Sequence, residues 1–140
     1  MTQALLSYRG AVYPWHCDHI GHMNVMWYVG KFDEATWNAF HQIGLTPSYL
    51  RESGRGMAAV EQHIRYLREV HAGAVLSIRT TVSEIRDKVV VLQHEMSNDD
   101  TGEIAARMTL TGVHLDTVKR KACAFSAEIL EAVKPLLGKD

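Results

Sequence analysis

The chain has 140 residues, 46% hydrophobic and 22% charged, a balance that supports a packed core without disulfide or metal staples. Fifteen basic and sixteen acidic residues leave a net charge of -1, and no basic stripe of the kind that phosphate backbones attract is present, which argues against a nucleic-acid partner. The chain shows no signal-peptide pattern and no run of about eighteen apolar residues, and only Cys17 and Cys123 occur, so the expectation is one cytoplasmic domain over residues 1–140, with no membrane partner.

Residues 5–13, LLSYRGAVY, carry β-formers and partial alternation and read as an edge strand that Pro14 ends. The loop that follows, WHCDHIGHMN at 15–24, is rich in polar chemistry. From Asn24 the period changes. Val25, Tyr28, Val29, Phe32, Ala35, Thr36, Ala39, Phe40 and Ile43 recur at spacings of three and four, with Lys31, Glu34, Asn38 and Gln42 opposite, which predicts an amphipathic helix of about five turns. Asn24 is its N-cap and Gly44 its left-handed terminator. Gly30, costly inside a helix, predicts a close approach by a neighbouring strand.

A turn-rich segment, LTPSYLRESGRG, leads to four predicted strands at about 56–70, 74–86, 88–98 and 103–116. In the second of these Leu76, Ile78, Thr80 and Val82 share a face, and SNDDTGE supplies the turn before the last. Ser126 opens a short terminal helix. One helical block beside an antiparallel sheet is α+β, with about five strands curved around the long helix.

The loop admits several chemistries. His16, Cys17, Asp18, His19 and His22 are all possible metal ligands, but no second ligand cluster follows, so the expectation is no metal. Cys17 stands seven residues before the helix cap, too early for activation by the helix terminus, and reads as a small hydrophobe. Asp18 is different: Gly21 lets the backbone fold back, so that its carboxylate and the unsatisfied amides at Val25 and Met26 can face one pocket. Such amides stabilise a carbonyl oxygen that gains charge during acyl transfer. The plain alternative is that Asp18 caps a turn.

The pattern Trp-x-x-Asp-x-x-Gly-His-Met-Asn-x-x-x-Tyr at 15–28, running on through VGKFDEATW, resembles the acyl-CoA thioesterases of the hot-dog fold, the 4-hydroxybenzoyl-CoA thioesterase-like group. Later landmarks, Ile-x-Tyr-x-x-Glu-x-x-x-Gly at 64–73 and Asp-Asp-Thr-Gly-Glu at 99–103, extend the resemblance over nearly the whole chain. The resemblance implies that Asp18 acts as nucleophile or general base, that the Val25 N–H polarises the thioester carbonyl, and that His22 and Asn24 belong to the site. It implies a homodimer or homotetramer with sites at the subunit interface, a second chain adding residues such as Glu61, and coenzyme A met by arginines among Arg55, Arg65, Arg68 and Arg79. Coenzyme A is then part of the substrate, and no separate cofactor is expected. Many relatives carry a second asparagine where this chain has Val25; a backbone donor survives that change.

Tyr13, Trp15, Trp27, Tyr28 and Trp37 crowd the loop and the helix, and indole faces attract quaternary ammonium groups. The stretch at 13–37 also resembles the thioesterase portion associated with carnitine dehydrogenases, which implies betainyl-CoA as a candidate substrate beside small or aromatic acyl-CoA, with Trp15, Trp27, Tyr28 and Glu61 as substrate contacts. Two alternatives remain at this stage. One is an enoyl-CoA hydratase-like hot-dog enzyme, disfavoured because only three residues separate Asp18 from His22; the other is a non-catalytic acyl-CoA-binding protein, disfavoured by Asp18, Gly21 and Asn24 occurring together.

Overall fold

A computed structural model describes residues 4–138. Strand β1 (Leu5–Ala11) is followed by a 3-10 turn at Pro14–His16, helix α1 (Val25–Gln42) and helix α2 (Pro47–Ser53). Four long strands come next, β2 (Arg55–Tyr66), β3 (Val75–Ile85), β4 (Val89–Asn98) and β5 (Ile104–Asp116), then the two-residue β6 (Lys121–Ala122) and α3 (Ala127–Val133). The sheet runs β1-β3-β4-β5-β2, every pair antiparallel, with β6 attached to β5. No helix among the described residues is long and apolar enough to cross a membrane.

Helix α1 forms for the reasons its sequence gives. The Asn24 side chain accepts from the Met26 N–H at 2.9 Å, and Gly44 takes φ +97° just past the end. Its buried face includes Thr36 and Ala39, and Tyr28, Phe32, Ala35 and Phe40 on it share one core with Leu76, Ile78, Val82, Leu92 and Met96 of β3 and β4. The even-numbered face of β3 from Leu76 to Val82 is buried as expected, Thr80 included.

The structure corrects the sequence reading in four places. Val25 and Val29, assigned to the apolar stripe, are exposed, Val25 at 55%, while Tyr28 and Phe32 of the same stripe are buried. Lys31, assigned to the solvent face, is buried, its ammonium donating to Tyr8 Oη at 2.8 Å and lying over the Tyr8 ring. Gly30 meets no strand: a Cβ there would find only the Trp27 ring, at 3.8 Å. The turn-rich segment holds α2, capped by Thr46, started by Pro47 and ended by Gly54 at φ +67°. Tyr49 on α2 donates its O–H to His114 Nε2 at 3.3 Å, because His114 Nδ1–H is directed to the Cys123 carbonyl.

Both described ends lie on β3. Leu5 pairs with Thr80, while Leu137 bridges to Val82 and Gly138 N–H donates to the Val82 carbonyl at 2.8 Å.

Candidate active site

The loop between the 3-10 turn and α1 is closed at its neck by an antiparallel bridge between Cys17 and Met23, by Asn24 N–H to the His16 carbonyl at 2.9 Å, and by Met23 N–H to the Val70 carbonyl at 2.7 Å. Within it Asp18 Oδ1 accepts from the Ile20 N–H at 2.9 Å, and Gly21, at φ +104°, donates its N–H to the Asp18 carbonyl. This is the tight reversal that the glycine allows.

Asp18 Oδ2 accepts from Asn24 Nδ2 at 2.7 Å. One asparagine therefore spans the site, its amide nitrogen on the carboxylate and its oxygen on the Met26 amide that opens the helix. These contacts, the Asn24 amide first and the Ile20 N–H second, hold the Asp18 carboxyl below the usual carboxylate range, so it is ionised near neutral pH. The Val25 N–H, first of the helical amides, finds no acceptor among the described residues.

Val25 lines a cavity of about 220 Å³ together with Met23, Tyr28, Tyr66, Leu67 and Glu69. Tyr28 and Tyr66 meet edge to face at 5.2 Å, and the Tyr28 hydroxyl donates to the Arg68 carbonyl at 2.8 Å. Desolvation raises the Tyr28 hydroxyl to about 12, so it stays a donor. At the rim His22 Nε2 lies 3.0 Å from a Glu69 oxygen. An ionised carboxylate thus stands in the loop before the helix, and an unused helical amide opens beside an apolar hollow; attack on an acyl carbonyl uses groups of these kinds.

His22, Val25 and Tyr28 line this cavity, whereas Asp18 and Asn24, hydrogen-bonded to each other in the loop before the helix, do not. The aromatic group is not one cage: Trp15 and Trp27 line a neighbouring cavity between β1 and α1, while Trp37 sits edge-on to Phe40 farther along the helix. Glu61 stands outward on β2 beside a bulge at Val60, away from both cavities within one chain. Arg68 pairs with Glu103 and Arg55 with Asp116. No group of three His, Cys, Asp or Glu side chains among the described residues could hold a metal ion. Tyr66 and Glu69 also line the cavity at Val25, and the sequence reading assigns neither a role.

The family model described as thioesterase-like superfamily matches residues 12–133, from the end of β1 to the end of α3. The chain belongs to the thioesterase-like superfamily. Its architecture is the hot-dog fold of α+β class, and a Staphylococcus aureus protein solved in complex with CoA superposes on this thioesterase-like chain with a TM-score of 0.90, 19% identity, and coverage of 96% of this chain and 84% of that one. Betainyl-CoA thioesterase of Pseudomonas aeruginosa is 27% identical over 136 residues, covering 97% of this chain and 86% of that protein. L-carnitine dehydrogenase/betainyl-CoA thioesterase of Agrobacterium fabrum is 34% identical over 119 residues, covering 85% of this chain but 24% of that protein. The chain thus spans about a quarter of the length of that relative.

Proposed function

We propose that the protein is an acyl-CoA thioesterase that hydrolyses a thioester to the free acid and coenzyme A, acting on betainyl-CoA. The observation that carries the reading is the Asn24 bridge, which ties an ionised Asp18 to the helix start beside a free Val25 amide. Asp18 either attacks the thioester carbonyl, forming an anhydride that water then hydrolyses to free acid and restored carboxylate, or takes the proton of a water that attacks the carbonyl directly. The Val25 N–H receives the developing oxyanion, and the coenzyme A thiolate leaves. Loss of one such donor costs about 3 kcal/mol in a transition state. His22, held by Glu69, orients water or substrate at the rim, and Tyr28 walls the acyl hollow.

The names of the two relatives support the betainyl group, and the Tyr66 ring and the Glu69 carboxylate, which also meets His22, line the hollow with groups that attract a trimethylammonium. Small or aromatic acyl-CoA is the broader class. Homodimers or homotetramers are part of the proposal, with Glu61 delivered by a second copy and with surface arginines meeting the nucleotide. The chemistry as drawn uses protein groups alone, and a cytoplasmic setting suits it.

A thiol-release screen over betainyl, short-chain, aromatic and long-chain thioesters, with enoyl-CoA hydration followed in parallel, tests the reading. Release of thiol from betainyl-CoA, reduced by several orders of magnitude in Asp18→Asn with the fold intact, is the expected result. Hydration without thiol release, or undiminished turnover in Asp18→Asn, overturns it.

A further inference from the structure

We propose that the aromatic cavity between β1 and α1 is a second ligand site, built for a small zwitterion that joins a quaternary ammonium to a carboxylate. The cavity holds about 480 Å³ and is lined by neither Asp18 nor Val25.

Two groups in the lining suit an anion. Lys31 is only 4% exposed, and its ammonium has Tyr8 Oη as its sole hydrogen-bond partner and no carboxylate in ion-pair reach among the described residues. A cation set this deep normally has a counter-charge. Beside it His16 Nδ1 accepts from the Tyr13 N–H at 3.0 Å, which places the ring proton on Nε2, where no acceptor is found among the described residues. Burial first, and the Lys31 charge second, hold the His16 ring below its ordinary value, so it stays a neutral donor. Lys31 and His16 therefore offer two donors to one carboxylate.

The aromatic part of the lining suits a cation that cannot hydrogen-bond. Tyr13 and Trp15 stack at 4.5 Å with planes 1° apart, and Trp15 is 66% exposed, leaving an indole face open. Trp27, 4.6 Å from His16, and Trp15 line the same cavity. Glu34 lines the same cavity without a cationic partner among the described residues. Aromatic faces with an unpaired carboxylate are how proteins hold quaternary ammonium groups. Gly30 lines the same cavity.

The free acid released from a betainyl thioester has this chemistry, so in its choice of ligand the inference rests on the proposed function. The cavity lies beside the catalytic loop without sharing its carboxylate: the His16 carbonyl anchors the Asn24 N–H at the loop neck, and Asp18 is not in the lining.

Calorimetric titration of the full chain with trimethylammonioacetate tests the site. Saturable binding is expected, weakened at least tenfold in Trp15→Ala and in Lys31→Met and unchanged in Asp18→Asn. Choline, which lacks the carboxylate, and 3,3-dimethylbutyrate, which lacks the cation, should each bind at least tenfold more weakly. Absence of saturable binding, equal binding in Trp15→Ala, or loss of binding in Asp18→Asn overturns the site; Trp15 is exposed, so its variant folds. Thiol release from betainyl-CoA on the same preparations separates the two ideas. Binding without release sinks the proposed function and keeps the site, and release without binding does the reverse.

Discussion

Asn24 carries two duties that pull on one side chain. As N-cap its removal costs about 1 kcal/mol of stability, and as partner of Asp18 it is the first cause of the lowered carboxyl. Asp18 works ionised, so its activity persists as pH falls until the depressed value is crossed. In Asn24→Ala the carboxyl returns toward its ordinary range, and the acidic limb of the pH–rate profile for thiol release moves to higher pH. A limb that stays in place would remove Asn24 from the site. The cap, the glycine reversal and the Asp18 turn were legible in the sequence because each is settled within six residues. Tyr66 and Glu69 were not legible as site residues, since they reach the loop only through contacts forty or more positions apart, such as Tyr28 to Arg68 and Met23 to Val70.

Helix α1 shows what periodicity does and does not say. It placed Phe32, Ala35 and Phe40 on one face, but how far a sheet covers that face is set by strand order, so Val25 and Val29 emerge and Lys31 goes under Tyr8. Helix α2 went unread because seven residues hold too little period, although Thr46-Pro47 and Gly54 mark both of its ends. The helix is also joined to the sheet by a polar spoke: His94 Nε2–H donates to Thr36 Oγ1 at 2.8 Å, Nδ1 meets Thr80 Oγ1 at 2.6 Å, and Ser7 Oγ continues the chain at 2.7 Å. Burial lowers His94 to about 4, against 6.5 when unfolded. The unfolded chain therefore binds a proton that the folded chain refuses over this window. Stability contributed here is whole above pH 6.5 and falls as pH drops toward 4, by up to about 1.4 kcal/mol per unit. Urea midpoints measured from pH 7 to 4 should show this loss, and His94→Gln should flatten it.

At the scale of the molecule, the strands and the long helix were legible because alternation and turn residues are local, whereas the order β1-β3-β4-β5-β2 was not. That order leaves β2 as a long open edge, with Val60 at its bulge 61% exposed. Such an edge asks for a partner strand or for charges that block one. If the proposed dimer forms through it, Val60→Glu lowers the mass seen by light scattering to that of one chain and lowers thiol release with it; an unchanged assembly would place the interface elsewhere. The order has a further result at the opposite edge. Because Leu5 and Leu137 settle two positions apart along β3, at Thr80 and Val82, the first and last described residues leave the fold as neighbours. A few added residues could splice them, and the chain could be reopened at the exposed hairpin of Asp99 to Gly102, giving a circular permutant whose new ends lie on a different loop from Asp18.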